Sequence, residues 1–367
     1  MGRDFTVNGT AYTPQHILII AELGTSHQGD RAKARDLVDA AAEAGARCIK
    51  FQLVYAAEIL HPLTGEVPLP GGMTPLYDIF KSLECTPDFY GEMKEYVEKR
   101  GLLYLCTPFG LKSAGELRAL KAQCIKIASP ELNYTALLEE VASYGLPAIL
   151  SSGVSTLADI EAALNCFSPD LVCLLHCVTA YPAPEEDYNL RLIKTLGEIF
   201  GIPMGLSDHS LDPELVPLLA QAMGAAVVEK HFCLSRSDPG LDDPIALPPE
   251  DFARMCHALE LAEKTESATL LETLARERGR DRISAVLGTG IKKLAPSELA
   301  NYGRTNRSLH ALEDIQAGDT IQSGMVGVLR TEKILRPGLP PSWERQILGR
   351  TARAFIPAGE GIRFEDV

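Results

Sequence analysis

HILIIAELG, residues His16–Gly24, is a short apolar run ending in polar residues, and an amphipathic segment, Ala32–Ala44, follows it before Gly45. The run is too short for a helix and rich in Ile and Leu, so it reads as a strand buried on both faces. The unit recurs to about residue 260. Further runs are CIKFQL (Cys48–Leu53), LYLCTPF (Leu103–Phe109), CIKIAS (Cys124–Ser129), PAILSSG (Pro147–Gly153), LVCLLHCV (Leu171–Val178), MGLSDHS (Met204–Ser210) and AVVEKHF (Ala226–Phe232). Helical spacing appears at Pro87–Lys99, Ala136–Tyr144 and Pro213–Met223, with Gly101, Gly145 and Gly224 placed as stops. Strand alternating with helix eight times implies a parallel sheet, and eight such units close into a (β/α)8 TIM barrel. An open doubly wound sheet is the alternative, and no GxGxxG or GxxxxGK[ST] phosphate loop supports it.

Beyond residue 260 the pattern changes. A charged helical stretch is followed by a mixed, Gly-containing segment, and from Arg307 short strands alternate with turn signals, AGD and AGEG. The expected organisation is a catalytic barrel over residues 1–283, a linker over 284–304 and a small, mostly-β domain over 305–367. So small a unit buries little core, so it should pack on a barrel or on a partner chain.

Composition narrows the function. The 367 residues carry a net charge of −14, which argues against a broad nucleic-acid footprint. No apolar run is long enough to span a membrane, and the start lacks a signal core. Met1-Gly2 with Thr6 fits only the loose minimal myristoylation pattern. Nine cysteines without a CxxC pair read as buried apolar residues of a cytoplasmic protein.

The C-terminal strand ends of such a barrel form the active-site rim. Polar residues gather there: Glu22; Lys50 and Gln52; Thr107; Lys126, Ser129 and Glu131; Ser151 and Ser152; His176, Thr179 and Tyr181; Ser207, Asp208 and His209; Glu229, Lys230 and His231. A buried lysine is costly unless paired with an anion, so Lys50 and Lys126 among hydroxyls point to a phosphate or carboxylate ligand. His209 and His231 end the seventh and eighth strands, and with a carboxylate such as Glu22 nearby they suit a divalent metal with open positions. His27 is a weaker candidate.

The motifs IIAELGTSHQGD, GARCIKFQ, LCTPF, KIASPELN, ILSSG, LLHCVTAYP, GLSDHS and EKHF, in this order, resemble the sialic acid synthase (N-acetylneuraminate synthase) family. That family includes the legionaminic and pseudaminic acid synthases and the spore-coat polysaccharide synthases. The segment RSLHALEDIQAGDTI through FIPAGEGI is similar to the antifreeze-like (SAF) domain appended to them. The resemblance implies condensation of phosphoenolpyruvate with an N-acetylated amino-sugar aldehyde, phosphate release and a requirement for Mn²⁺ or Mg²⁺. By matching motif it implies His209 and His231 as metal ligands. Lys50, Thr107, Lys126, Ser129, Ser151 and Ser207 would bind phosphoenolpyruvate. Glu22 and Glu131 would be the acidic residues of the reaction region, and Tyr181 and Asp242 would face the sugar. It further implies a domain-swapped homodimer in which an Arg of the partner's small domain reaches the sugar, with Arg307 the candidate and Arg304 the fallback.

The sugar half departs from the family pattern. Thr179 stands where an Asn is common, PLPGGM replaces an Asn-bearing segment, and DPIAL follows Asp242. The expected acceptor is therefore not plain N-acetylmannosamine. The competing readings are a 3-deoxy-sugar-acid phosphate synthase, which would need more cations for a second phosphate, and a non-catalytic sugar-binding scaffold.

Overall fold

The computed structural model describes residues 4–69 and 72–367. The Met1-Gly2 pair, and Pro70 and Gly71 of PLPGGM, lie outside the described residues. Eight parallel strands close a barrel: β1 (Leu18–Gly24), β2 (Cys48–Leu53), β3 (Leu103–Pro108), β4 (Ile125–Ile127), β5 (Ala148–Ser151), β6 (Val172–Cys177), β7 (Met204–Asp208) and β8 (Val227–His231). Neighbours in the barrel are neighbours in sequence, and β8 pairs with β1 to shut the ring. The open-sheet alternative is thereby excluded.

Helices cover the outside: α1 (Arg31–Glu43), α2 (Pro87–Lys99), α3 (Leu111–Ala119), α4 (Thr135–Ser143), α5 (Leu157–Leu164), α6 (Arg191–Phe200), α7 (Leu215–Ala222) and α8 (Pro249–Ala262). The expected stops Gly45, Gly101, Gly145 and Gly224 all have positive φ. Two more helices follow, α9 (Ser267–Arg278) and α10 (Arg280–Leu287). α10 runs past residue 283 because Ile283, Val286 and Leu287, spaced i, i+3, i+4, keep one face buried.

Successive residues of a strand point to opposite faces. Leu18, Ile20, Cys48, Leu103, Leu105, Cys124, Ile149, Cys173, Leu175 and Val227 form one apolar cluster with Phe5, Val7 and Tyr12 of an N-terminal hairpin. These strand residues fill the barrel, and the hairpin plugs its lower end. Continuing the same alternation upward reaches Glu22, Lys50, Gln52, Thr107, Lys126, Ser151, Cys177, Ser207, Glu229 and His231. In every strand but β7, where Gly205 takes the floor position, one phase therefore supplies an apolar floor and then a polar mouth. The other phase, including Ile17, Ile19, Ile49, Phe51 and Leu206, packs under the helices.

The small domain is built on β9 (Arg307–Ala311) and β10 (Val326–Arg330), which pair antiparallel. Its core comprises Leu309, Ala311, Ile315, Ile321, Ile356 and Ile362, among others. It docks over the barrel mouth of its own chain. Among the described residues, no helix is long and apolar enough to cross a membrane, and all nine cysteines are free.

Candidate active site

Register and alternation together decide which polar side chains share the mouth. The Lys50 ammonium lies 2.8 Å from Glu229 Oε1 and 3.1 Å from Glu22 Oε2. Lys126 Nζ donates to Ser151 Oγ at 2.6 Å and lies 3.9 Å from the same Glu229 oxygen. Ser207 Oγ donates to Glu229 Oε1 at 3.1 Å, and Gln52 donates to Glu22 Oε1 at 2.7 Å. The expected anion-binding lysines and hydroxyls thus converge, and they do so around a carboxylate that the sequence reading had placed only among the rim residues. Burial alone would raise Glu229; the ammoniums of Lys126 and Lys50 outweigh it and hold it down to about 2. Burial lowers Lys50 to about 8 against the opposing pull of Glu229.

Thr107 Oγ1 lies within 1% exposure and has no hydrogen-bond partner. A buried hydroxyl is rarely left so, and ligand-binding positions are among the explanations. Ser129 Oγ accepts from the Gly153 amide at 3.0 Å, which brings the ends of β4 and β5 together.

His209 and His231 face one another, ring centroids 5.5 Å apart, and Tyr181 lies 4.3 Å from the first and 6.1 Å from the second. His209 Nδ1 sits 2.8 Å from the Val178 carbonyl. A carbonyl can only accept, so Nδ1 carries the hydrogen, which in the neutral ring leaves the Nε2 lone pair free. Burial, then His209 and Lys50, push His231 well below the ordinary histidine value, which keeps it neutral. Asp242 Oδ2 lies 3.8 Å from His231 Nδ1. Among the described residues, no group of three or more His, Cys, Asp or Glu side chains forms a closed cation cage. Two imidazoles with an oriented tautomer fit a cation that keeps coordination positions open for substrate.

Other rim candidates go elsewhere. Asp208 and Lys230 occupy the opposite phase and pair at 2.6 Å behind the barrel wall, both fully buried. His176 also points outward and bonds the Tyr188 carbonyl. His27 packs against Phe51 and Phe89 and is lowered to about 4 by burial; none of these contacts belongs to the His209–His231 pair. Arg304 is spent on the carbonyls of Glu332, Lys333 and Leu335.

Arg307 does reach the mouth, from the same chain. Its guanidinium lies 2.9 Å from Glu131 Oε1 and also donates to the Phe109 carbonyl. Arg330, which the sequence reading did not single out, meets the same oxygen at 2.6 Å. Glu131 is therefore held by two guanidiniums at the seam between barrel and small domain, and its Oε2 is buried without a partner. Arg330 ends its strand opposite Arg307 in the β9–β10 register, a pairing visible only once the hairpin is known.

Comparison with known proteins gives the family of the chain. The NeuB family model matches residues 37–269, and the SAF domain model matches residues 306–367. The N,N'-diacetyllegionaminic acid synthase of Legionella pneumophila is 30% identical over 380 residues, covering 100% of this chain and 99% of that protein. The pseudaminic acid synthase of Helicobacter pylori is 30% identical, covering 95% and 97% respectively. The crystal structure of the spore coat polysaccharide biosynthesis protein SpsE from Bacillus subtilis superposes with a TM-score of 0.82 at 28% identity, covering 100% of this chain and 99% of that one. The chain belongs to the NeuB family and carries a SAF domain at its C-terminal end.

Proposed function

We propose that this protein is a nonulosonic acid synthase that joins phosphoenolpyruvate to an N-acetylated amino-sugar aldehyde and releases phosphate. The observation that carries the proposal is the convergence of Lys50 and Lys126 on one point of the barrel mouth, with Ser151, Ser207 and the unpartnered Thr107 around it. The names of its relatives supply the substrate class.

The residues act by binding and orientation. Lys50 and Lys126 hold the phosphate and carboxylate of phosphoenolpyruvate, displacing Glu229 as their shared counter-ion. Before the substrate arrives, Glu229 keeps both ammoniums charged and correctly spaced. Ser129, Ser151, Ser207 and Thr107 complete the hydrogen bonds and fix the enol carbon C3 at near-attack distance from the aldehyde carbon. His209 and His231 would hold a divalent cation, Mn²⁺ or Mg²⁺, which when bound would polarise the aldehyde carbonyl and make its carbon the electrophile. C3 forms the new carbon–carbon bond, water adds to C2, and phosphate leaves with cleavage of the C2–O bond. Glu22, hydrogen-bonded by Gln52, would orient the metal or its water. Glu131 is our choice for the proton transfers; clamped between Arg307 and Arg330, it serves that purpose only after the guanidiniums turn to the sugar. Tyr181 and Asp242, beside the imidazole pair, face the sugar.

A homodimer with exchanged small domains belongs to the same proposal, since a swap reuses the intramolecular contacts between subunits. We place the enzyme in the cytoplasm, where unpaired cysteines persist. The test is phosphate release from phosphoenolpyruvate with a panel of N-acetylated hexosamines, 2,4-diacetamido hexoses and their phosphates, with product mass identifying the acceptor. Activity lost on chelation and restored by Mn²⁺ is expected. No phosphate release with any panel member, metal supplied, would refute the synthase reading.

A further inference from the structure

Residues 288–306 connect α10 to β9 and hold most of the stretch, 284–304, whose composition reads as a linker. Yet Glu298, from the middle of it, is 1% exposed. Its Oε1 accepts from the Val154 amide at 2.7 Å and from the Thr179 amide at 2.8 Å, and its Oε2 accepts from Ala295 at 3.1 Å. Val154 follows Ser151-Ser152-Gly153 at the end of β5, and Thr179 follows Cys177 at the end of β6. A carboxylate from outside the barrel thus ties two adjacent strand ends through charge-assisted hydrogen bonds, stronger than neutral ones.

Val154 shows why such a tie is needed. It is fully buried, β-branched, and has φ +42°. That conformation is strained for its side chain and persists only where the surroundings impose it. The connector imposes it from both sides: Glu298 takes the Val154 amide hydrogen, and Asn306 Nδ2 donates to the Val154 carbonyl at 2.9 Å. The strained turn presses Gly153 against its neighbours. A Cβ there would stand 2.0 Å from Thr179 Oγ1 and 2.9 Å from Ser129 Oγ. The ends of β4, β5 and β6 are therefore packed as one block, and the connector holds it.

We propose that Glu298 is a positioning residue, whose carboxylate sets the ends of β5 and β6 and so aims Ser151, Ser129 and Tyr181 at the substrates. The identity of those substrates rests on the synthase reading; the hold on two backbone amides does not. Seating of the connector and assembly of the site become one event, because the chain that delivers the small domain also organises the mouth beneath it.

The test uses the full chain with Glu298→Ala and Glu298→Gln, read by amide hydrogen exchange and by phosphate release. In Glu298→Ala, the Val154 and Thr179 amides should exchange at least about tenfold faster, with the barrel strands still protected. The kcat/KM for phosphoenolpyruvate should fall by at least about tenfold. Gln keeps one oxygen able to accept both amides, so Glu298→Gln should recover protection and activity to within about threefold. Unchanged protection of Val154 and Thr179 in Glu298→Ala overturns the proposal. So does acceleration spread evenly over all barrel amides, which marks a merely structural role, or a loosened pair of amides with undiminished activity. If the wild-type chain releases no phosphate from any substrate pair, the synthase reading falls, while selective loosening of the two amides still upholds the hold of Glu298 on them.

Discussion

Glu131→Gln removes the carboxylate that joins barrel to small domain. Arg307 and Glu131 side chains are both 0% exposed and Arg330 is 10% exposed, so the amide would leave two guanidiniums facing each other out of reach of bulk water. Breaking a buried ion pair by deleting one partner costs about 3–5 kcal/mol. Unfolding 367 residues carries an entropy of about 0.77 kcal/mol/K, so that cost lowers Tm by about 4–6 °C. If the chain escapes the cost by undocking the small domain, the docking constant falls by about two to four orders of magnitude. Calorimetry should show a lowered or split transition, and trypsin should cut the connector at Lys292 and Lys293. Adding Arg330→Met should recover part of the loss, because one unpaired charge is removed. A Tm within about 1 °C of wild type, with an unchanged tryptic pattern, would refute the reasoning. Concentration dependence of the wild-type transition separates docking within one chain from exchange between two.

Lys126→Met should lower kcat/KM for phosphoenolpyruvate about 10- to 150-fold, the worth of roughly 1.5–3 kcal/mol for a hydrogen bond to a charged group, with the far-UV spectrum unchanged; a wild-type value would remove Lys126 from the anion site. Lys50 is lowered to about 8 by burial, so it is protonated below that pH and neutral above it. The free-enzyme profile of kcat/KM should therefore decline above about pH 8, and a profile flat to about pH 10 contradicts a cationic role. Gly153→Ala forces a Cβ into Thr179 and Ser129; overpacking of that kind costs about 1–3 kcal/mol, and a raised KM for phosphoenolpyruvate together with a lower Tm is the expected result.

Much of this was legible beforehand for a local reason. Short Ile- and Val-rich runs between amphipathic segments carry the barrel, and helix stops such as Gly45 and Gly224 are written in single residues. Lys50, Lys126, His209 and His231 stood out because a buried ammonium or imidazole needs a polar partner, and the structure brings all four to one mouth. Local alternation is ambiguous where consecutive residues are all polar. In SDHS and EKHF, alternation sends Ser207, His209, Glu229 and His231 inward, while Asp208 and Lys230 turn outward to pair with each other. The central position of Glu229 was missed for the same reason: its importance lies in what meets it from β2, β4 and β7.

By itself the amino-acid order determined the repeating unit, the closure of eight such units and the chemical kinds of group at the rim, because periodicity and residue chemistry are properties of neighbours in the chain. Only the tertiary structure decided which carboxylate the lysines share, that Arg330 joins Arg307 on Glu131, and that a connector residue, Glu298, holds two strand ends. Those contacts join residues more than a hundred positions apart, and their geometry comes from strand register and from the docking of one domain on another, neither of which any local stretch encodes.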